Sequence, residues 1–438
     1  MSLDHAHLLE EDSALLGQSL HALAERLYPI CRSITGPGVR ETLKILSEFV
    51  PVKLTEIPSG TDVFDWTIPN EWTIRDAYVA DHHGNRVIDF QAHTLHVLNY
   101  SAPVRATLSL EELRPHLHTL PDQPNLIPYR TSYYKENWGF CLSQRQLEML
   151  GDGPFEVCVD STLAPGSLTL GEILIPGKSE KEILISAHMC HPSLANDNLS
   201  GLVIATALAM RAEALNLTHS LRILFIPGTI GSIAWLALNE AATAKISGGL
   251  VLTGLGDSGP LTYKRSRNGE TVVDRAAEHV LAHIGEANSV IDFSPWGYDE
   301  RQYGSPGFDL PVGRLSRTPH GEYPEYHTSG DNLELLNAEA LAASLQAVEA
   351  IVSAIDGEAV FQSTNPKGEP RLGKRGLYRQ TAGQGGAVPD EIAFLWVLNQ
   401  SDGTHSLLDI AKKSGLEFNK IRGAAAALQD AGLLLPAA

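Results

Sequence analysis

Apolar side chains recur with a helical period at the start of the chain. Leu16, Leu20, Leu23 and Leu27 are spaced four, three and four apart and form one stripe. Thr35-Gly36-Pro37-Gly38 interrupts the pattern, and a second helix is expected from Val39 to Phe49. From about residue 60 to 175 the texture changes. The runs at 63–67, 77–79, 87–90 and 96–100 are short and rich in β-formers, with Pro69-Asn70 and His83-Gly84-Asn85 as punctuation. Closely spaced runs of this kind predict a compact, mostly β module. The proline-rich stretch around Pro121, Pro124 and Pro128 reads as a loop.

From about residue 180 strands and helices alternate. The apolar run 182–187 suits a strand buried on both faces. A helix is expected from Leu199 to Leu215, a strand at 221–226, a helix through Ile233 to Leu236 and a strand at 249–253. This order predicts an α/β core with a mostly parallel mixed sheet flanked by helices. Leu345, Val348, Val352 and Ile355 mark a closing helix, with Gly357 as its stop. Residues 357–387 are rich in Gly, Pro and Lys/Arg and read as a linker. Three short helices (about 389–399, 406–413 and 417–430) and an apolar end at Leu433-Leu434-Leu435 outline a winged helix. The expected division is therefore 1–58 with 176–357 for the α/β core, 59–175 for an inserted β-rich module, 358–387 for the linker and 388–438 for the winged-helix domain.

Composition narrows the reading. The chain has 438 residues, 43% of them hydrophobic, which is enough to bury a core. Its 33 Lys and Arg against 52 Asp and Glu give a net charge of −19, which disfavours a phosphate backbone as main partner. The winged-helix segment itself carries four basic and six acidic side chains, a charge of −2, whereas nucleic-acid binding needs a basic face. No nucleic acid is expected, and a packing or assembly role fits that domain better. Cys31, Cys141, Cys158 and Cys190 are scattered, as in a reducing compartment. The acidic start lacks a signal-peptide pattern, and no uninterrupted apolar run reaches the ~18 residues of a membrane span. A cytoplasmic protein without a membrane partner is expected, and a homo-oligomer is left open.

The chemistry concentrates in two stretches. Residues 186–201 run from the end of one expected strand to the start of a helix and contain His188, Cys190, His191, Asn196, Asp197 and Ser200. Ligands of open α/β sheets bind at strand carboxyl ends. Neutral imidazole and carboxylate are suitable zinc ligands, so His188 and Asp197 are candidates. Residues 321–332 also precede a helical region and supply His327. Three protein ligands with an open fourth position is the usual arrangement of catalytic zinc. Cys190 as a thiolate ligand, His191 as a further ligand and Asp257 as a substitute ligand are weaker alternatives. Cys190 also reads as a small buried hydrophobe and Asp257 as a turn residue.

The frame His188…Asp197-Asn198-Leu199-Ser200-Gly201, followed late by Tyr326-His327-Thr328, resembles the zinc aminopeptidase superfamily. More closely, the chain resembles a bacterial branch of aminopeptidase-like proteins with an inserted β module and a C-terminal winged helix. The stretches Phe64-Asp65-Trp66, Ile127-Pro128-Tyr129, Tyr133-Tyr134, residues 227–232 and Asp299-Glu300-Arg301-Gln302-Tyr303 support this along nearly the whole chain. The resemblance implies a zinc-exopeptidase-like core and metal positions at His188, Asp197 and His327. It also exposes three departures. Cys190 stands where the superfamily usually has Asp. The stretch Phe225-Ile226-Pro227-Gly228-Thr229 lacks the usual Glu-Glu pair. No acid ends the strand at Val251-Leu252-Thr253. One zinc rather than two is therefore expected, and the general base must come from elsewhere.

Among Asp299, Glu300, Glu322 and Glu325, the expected bases are Glu300 and Glu325. Arg301, Tyr303 and Tyr326 are candidate donors to a substrate carbonyl, and Arg32 is a candidate partner of a substrate carboxylate. The leading function is zinc-dependent hydrolysis of an amide bond in a small peptide or aminoacyl substrate. The alternatives are an amidase or deacylase on a small metabolite and a catalytically inactive aminopeptidase-like binding or assembly protein.

Overall fold

The computed structural model describes residues 8–9, 11–285, 287–377 and 391–437. Among these, an eight-stranded sheet forms the centre. Its order is Lys53–Pro58, Ser167–Ile175, Ser220–Ile226, Glu182–His188, Ile246–Leu252, Val312–Ser316, Thr262–Lys264 and Ser289–Ile291. The four strands from Ser220–Ile226 to Val312–Ser316 are parallel, and antiparallel strands flank them. Helices Ser13–Leu27, Ser200–Leu215, Val272–Ile284 and Ala338–Gly357 bury their apolar stripes against one face. Ala338–Gly357 is long and apolar enough to cross a membrane, but Leu341, Leu345, Val348, Ile351 and Val352 lie fully buried in this core.

The other face packs on helix Ile230–Leu238 and on the β module, whose Val79, Val157 and Phe140 share a core with Leu184, Leu224 and Val251 of the sheet. The module's own sheet runs Arg86–Asp89, Glu71–Ala80, Phe155–Ala164, Val104–Leu108. Two expectations need correcting here. Ser167–Ile175 is a strand of the central sheet, paired with Lys53–Pro58 and Ser220–Ile226, and not part of the module. Residues 96–100 form no strand. They are buried, and isolated bridges such as Val97 to Phe140 replace a ladder.

The expected linker also differs. Val360–Ser363 is the central strand of a three-stranded sheet with Asp402–Ser406 and Leu434–Pro436. It carries helices Glu391–Gln400, Leu407–Ser414 and Phe418–Asp430 as a winged helix. The remainder of the expected linker from 378, and the expected start of the first helix at 389, lie outside the described residues. Phe418, Ile421, Ala424 and Leu428 join the helix-side core, and Arg275 bridges to Asp409 at 3.0 Å.

Candidate metal centre and active site

Side chains alternate along a strand. Ile183, Ile185 and Ala187 enter the helix-side core and Leu184 enters the core shared with the module. Ser186 and His188 therefore face the module. After His188 the chain loops until helix Ser200–Leu215 begins, and Asp197 and Asn198 keep non-helical dihedrals. Side chains, rather than a regular cap, hold this loop. Asn198 Nδ2 donates to the carbonyls of His188 (3.2 Å) and Leu252 (3.0 Å). The buried Asp331 accepts the backbone N–H groups of Ala195, Asn196 and Asp197 at 2.6–3.0 Å. Asn196 donates to Asp257 at 3.0 Å, and Ser200 donates to the Asn196 carbonyl at 2.7 Å.

These contacts aim Asp197 between two imidazoles. Its Oδ1 lies 2.8 Å from His188 Nε2 and its Oδ2 lies 3.0 Å from His327 Nε2. Burial alone would raise the Asp197 carboxyl. The neighbouring His191 and His188, with the hydrogen bonds to His188 and His327, outweigh that and hold it well below the usual carboxylate range. The His191 ring sits 5.1 Å from the rings of both His188 and His327. The donor atoms of His188, His191 and Asp197 lie within 4.8 Å of one another. The β module completes the arrangement. His327 adopts a left-handed φ of 55°, and its carbonyl accepts Tyr129 N–H at 2.7 Å, while Ser329 and Ile127 exchange two further bonds. Tyr298 stacks on His188 and Tyr326 on His327, at 4.8 and 4.0 Å between centroids.

The three imidazoles, Tyr129, Tyr298 and Tyr326 line a cavity of about 260 Å³ together with Tyr133, Cys190, Gly228, Thr229 and Asp299, and Asp197 lies buried behind the imidazoles. Asp299 is fully buried. Its Oδ1 accepts Ser232 Oγ at 2.7 Å, and its Oδ2 has no hydrogen-bond partner among the described residues. Burial pushes its carboxyl up to about 6. Gly228 sits between His188 and Asp299. A Cβ there would lie 3.2 Å from His188 Cβ and 3.5 Å from Asp299 Oδ2. The donor set, two or three imidazoles and one carboxylate, fits zinc. The unsatisfied Oδ2 and the space left by Gly228 fit a site built to hold something beside His188.

Residues 21–358 match the family described as a domain of unknown function, DUF4910, and residues 359–436 match a winged helix-turn-helix family. The chain belongs to the DUF4910 family. A protein of Clostridium acetobutylicum is 49% identical over 424 residues, 97% of this chain and 98% of its own, and its name couples polysaccharide biosynthesis with an aminopeptidase-like domain. A crystal structure from C. acetobutylicum, provisionally designated a peptidase, has a TM-score of 0.92 at 48% identity and covers 97% of this chain and 98% of that one. A zinc aminopeptidase of Bacillus subtilis superposes with a TM-score of 0.56 at 12% identity, over 80% of this chain and 94% of its own. The fold of this DUF4910 protein is thus the aminopeptidase-like α/β fold, extended by a winged helix.

Within this DUF4910 chain the expected site residues divide. His188, His327 and Tyr326 line the cavity, and the buried Asp197 is hydrogen-bonded to both imidazoles. Glu300 does not: its carboxylate is buried against Lys264 Nζ at 2.9 Å and accepts Tyr298 N–H at 3.0 Å, which makes it a structural ion pair rather than a base. Glu325 lies against Gly330 and is not part of the described lining. Tyr303 is buried behind the strand, donating to Ser186 Oγ at 2.9 Å, and is no carbonyl donor in the cavity. Arg301 is likewise outside the described lining.

Arg32 is 1% exposed and donates to the carbonyls of His191 (2.9 Å) and Leu27 (2.8 Å), so it braces the loop after His188, while its Nη2 has no hydrogen-bond partner among the described residues. Burial pushes the Cys190 thiol up to about 12, against a thiolate ligand. Asp257 accepts Gly259 N–H and Thr318 Oγ1 and ties a turn. The residue that sequence reasoning underweighted is Asp299. Its signal was present in Asp299-Glu300, but adjacent acids differ in direction, and only the fold shows which one points at the cavity.

Proposed function

We propose that this DUF4910 protein is a metal-dependent hydrolase that cleaves an amide bond in a small substrate. The expected metal is a single zinc ion held by His188, Asp197 and His327, with His191 as an adjacent imidazole. One observation carries the reading: the unpartnered Oδ2 of buried Asp299 shares a cavity with those imidazoles. When bound, zinc would polarise the amide carbonyl and acidify the attacking water. The chain's own groups do the rest. Asp299 Oδ2 takes the proton of the attacking water and returns it to the departing nitrogen. Ser232 fixes the other carboxylate oxygen, and the tyrosine walls exclude bulk water.

Asp299→Asn is expected to lower kcat by roughly 10²–10⁴-fold while leaving metal content unchanged. Unchanged kcat would move the base elsewhere. Burial sets the Asp299 carboxyl at about 6, and a dication held by the neighbouring imidazoles would lower it. Asp299 is then ionised at neutral pH, and turnover falls only on acidification below that value, because the protonated form cannot accept a proton.

A second reading favours an N-acyl substrate over a free peptide terminus. Asp299 is the one acid in the described lining apart from the ligand set. If it serves as base, no carboxylate remains there to bind a substrate ammonium. Turnover of N-acyl compounds but not of aminoacyl anilides is the expected result of a substrate panel. The winged helix supports a packing role. Its last helix buries Phe418 and Ile421 against the core, and Arg422 donates to the Ser353 carbonyl. No salt-dependent gel shift with DNA is expected at micromolar protein. The four unpaired cysteines suit a reducing compartment such as the cytoplasm.

A further inference from the structure

One cluster of aromatic side chains has no part in the chemistry above. Phe64, Trp66 and Tyr134 are 55, 43 and 49% exposed. Phe64 and Tyr134 hold φ of 54° and 62°, a backbone region costly for bulky residues. The rings of Trp66 and Tyr134 meet edge to face with centroids 5.1 Å apart. Exposed aromatic clusters of this kind mark binding surfaces.

The cluster adjoins the metal-side cavity in the chain, because Tyr134 follows the lining residue Tyr133. Tyr133 lines that cavity and its hydroxyl lies 2.8 Å from that of Tyr129. The Tyr133 ring contacts Tyr100 at 5.8 Å. Tyr100 and Tyr134 in turn line a neighbouring cavity of about 360 Å³. Ring contacts therefore lead from Tyr133 to the buried Tyr100, which shares the outer cavity with Tyr134, and Tyr134 meets Trp66.

The polarity of this wall selects a ligand. The described lining of the metal-side cavity contains no Lys or Arg, so beyond the imidazoles and the metal proposed there it offers no further cation for a phosphate or a peptide carboxylate. In the outer cavity Lys135 and Glu136 balance each other. Aromatic faces with hydroxyl and amide groups suit a neutral ring that has one apolar face and a polar edge. A pyranose is such a ring.

Resting on the hydrolase reading above, we propose that the substrate is an N-acylated amino sugar within a short neutral oligosaccharide. Its acylamino group enters the metal-side cavity, and its neighbouring sugar ring stacks on the Trp66–Tyr134 platform. Water adds to the acyl carbon and the C–N bond breaks. One water proton passes through Asp299 Oδ2 to the nitrogen, which leaves a free amino sugar and a carboxylic acid that then gives up its proton to solvent.

The test compares N-acetylglucosamine with N,N′-diacetylchitobiose by calorimetric titration against the full chain. The disaccharide is expected to bind more tightly than the monosaccharide. Trp66→Ala and, independently, Tyr134→Ala should each reduce that preference by roughly threefold to tenfold, whereas Trp66→Phe should retain most of it. Both sites are surface-exposed, and a circular dichroism melt checks that each variant is folded. Equal binding of the two saccharides, or a preference that survives both alanine changes, overturns the proposal. Leucyl-p-nitroanilide runs alongside. Cleavage of it without saccharide binding defeats the sugar assignment and leaves the hydrolase reading intact. Saccharide binding without turnover of any substrate defeats the hydrolase reading and leaves the platform standing.

Discussion

Replacing His188 with alanine is expected to abolish amide hydrolysis, with a loss on the order of 10³-fold or more, and to strip the bound metal. The side chain is 1% exposed, and its Nε2 is one of two imidazole nitrogens on the Asp197 carboxylate. Without it, one oxygen of a buried carboxylate loses its partner, and the proposed zinc would keep two of its three protein ligands. The fold should survive, because the loop carrying Asp197 is held by Asp331 and Asn198 rather than by His188 alone. Activity and circular dichroism measured on the same preparation separate loss of chemistry from loss of structure. A folded variant that keeps its turnover would remove His188 from the mechanism.

Lys264→Met is expected to destabilise the protein by about 3–5 kcal/mol, the cost of leaving one member of a buried ion pair uncompensated. Lys264 and Glu300 are 1% and 0% exposed and lie 2.9 Å apart. Arg314, 4.0 Å from the same carboxylate, relieves only part of that cost. Glu300 also fixes the backbone of Tyr298, whose ring stacks on His188, so the change should loosen the ligand as well as the fold. Adding Glu300→Gln to Lys264→Met should recover much of the lost stability, read as the midpoint of urea unfolding. The double variant also tests the role of Glu300. A positioning residue leaves measurable turnover, whereas a general base would leave none.

The parts of the fold legible in the sequence were those with a local signature. The run 182–187 and the helix after Leu199 follow from their apolar patterns, and His188, Asp197 and His327, singled out by their places at strand and helix ends and by the family resemblance, do lie within hydrogen-bonding distance of one another through Asp197. What escaped depends on distant partners. Residues 167–175 carry strand residues, but nothing local says that they pair with Lys53–Pro58 and Ser220–Ile226 rather than with the module. Val360–Ser363 sits in a Gly- and Pro-rich stretch and becomes a strand only because Asp402–Ser406 and Leu434–Pro436 flank it. The run 96–100 carries the β-forming residue types of a strand, yet its hydrogen bonds go to scattered partners such as Cys141 and Arg130. The same limit affected the site. Asp299 and Glu300 are neighbours in sequence, and only the positions of Lys264 and Ser232 decide which acid is neutralised and which keeps an oxygen free.

The central claim is that the imidazole and carboxylate cluster is a metal centre serving hydrolysis. Metal content per chain, measured by inductively coupled plasma mass spectrometry on wild-type and His188→Ala protein purified without chelator, tests it most directly. The account predicts about one zinc per wild-type chain and a loss of most of it in the variant. Wild-type protein that carries no transition metal, and whose melting temperature does not rise on addition of zinc, would contradict it.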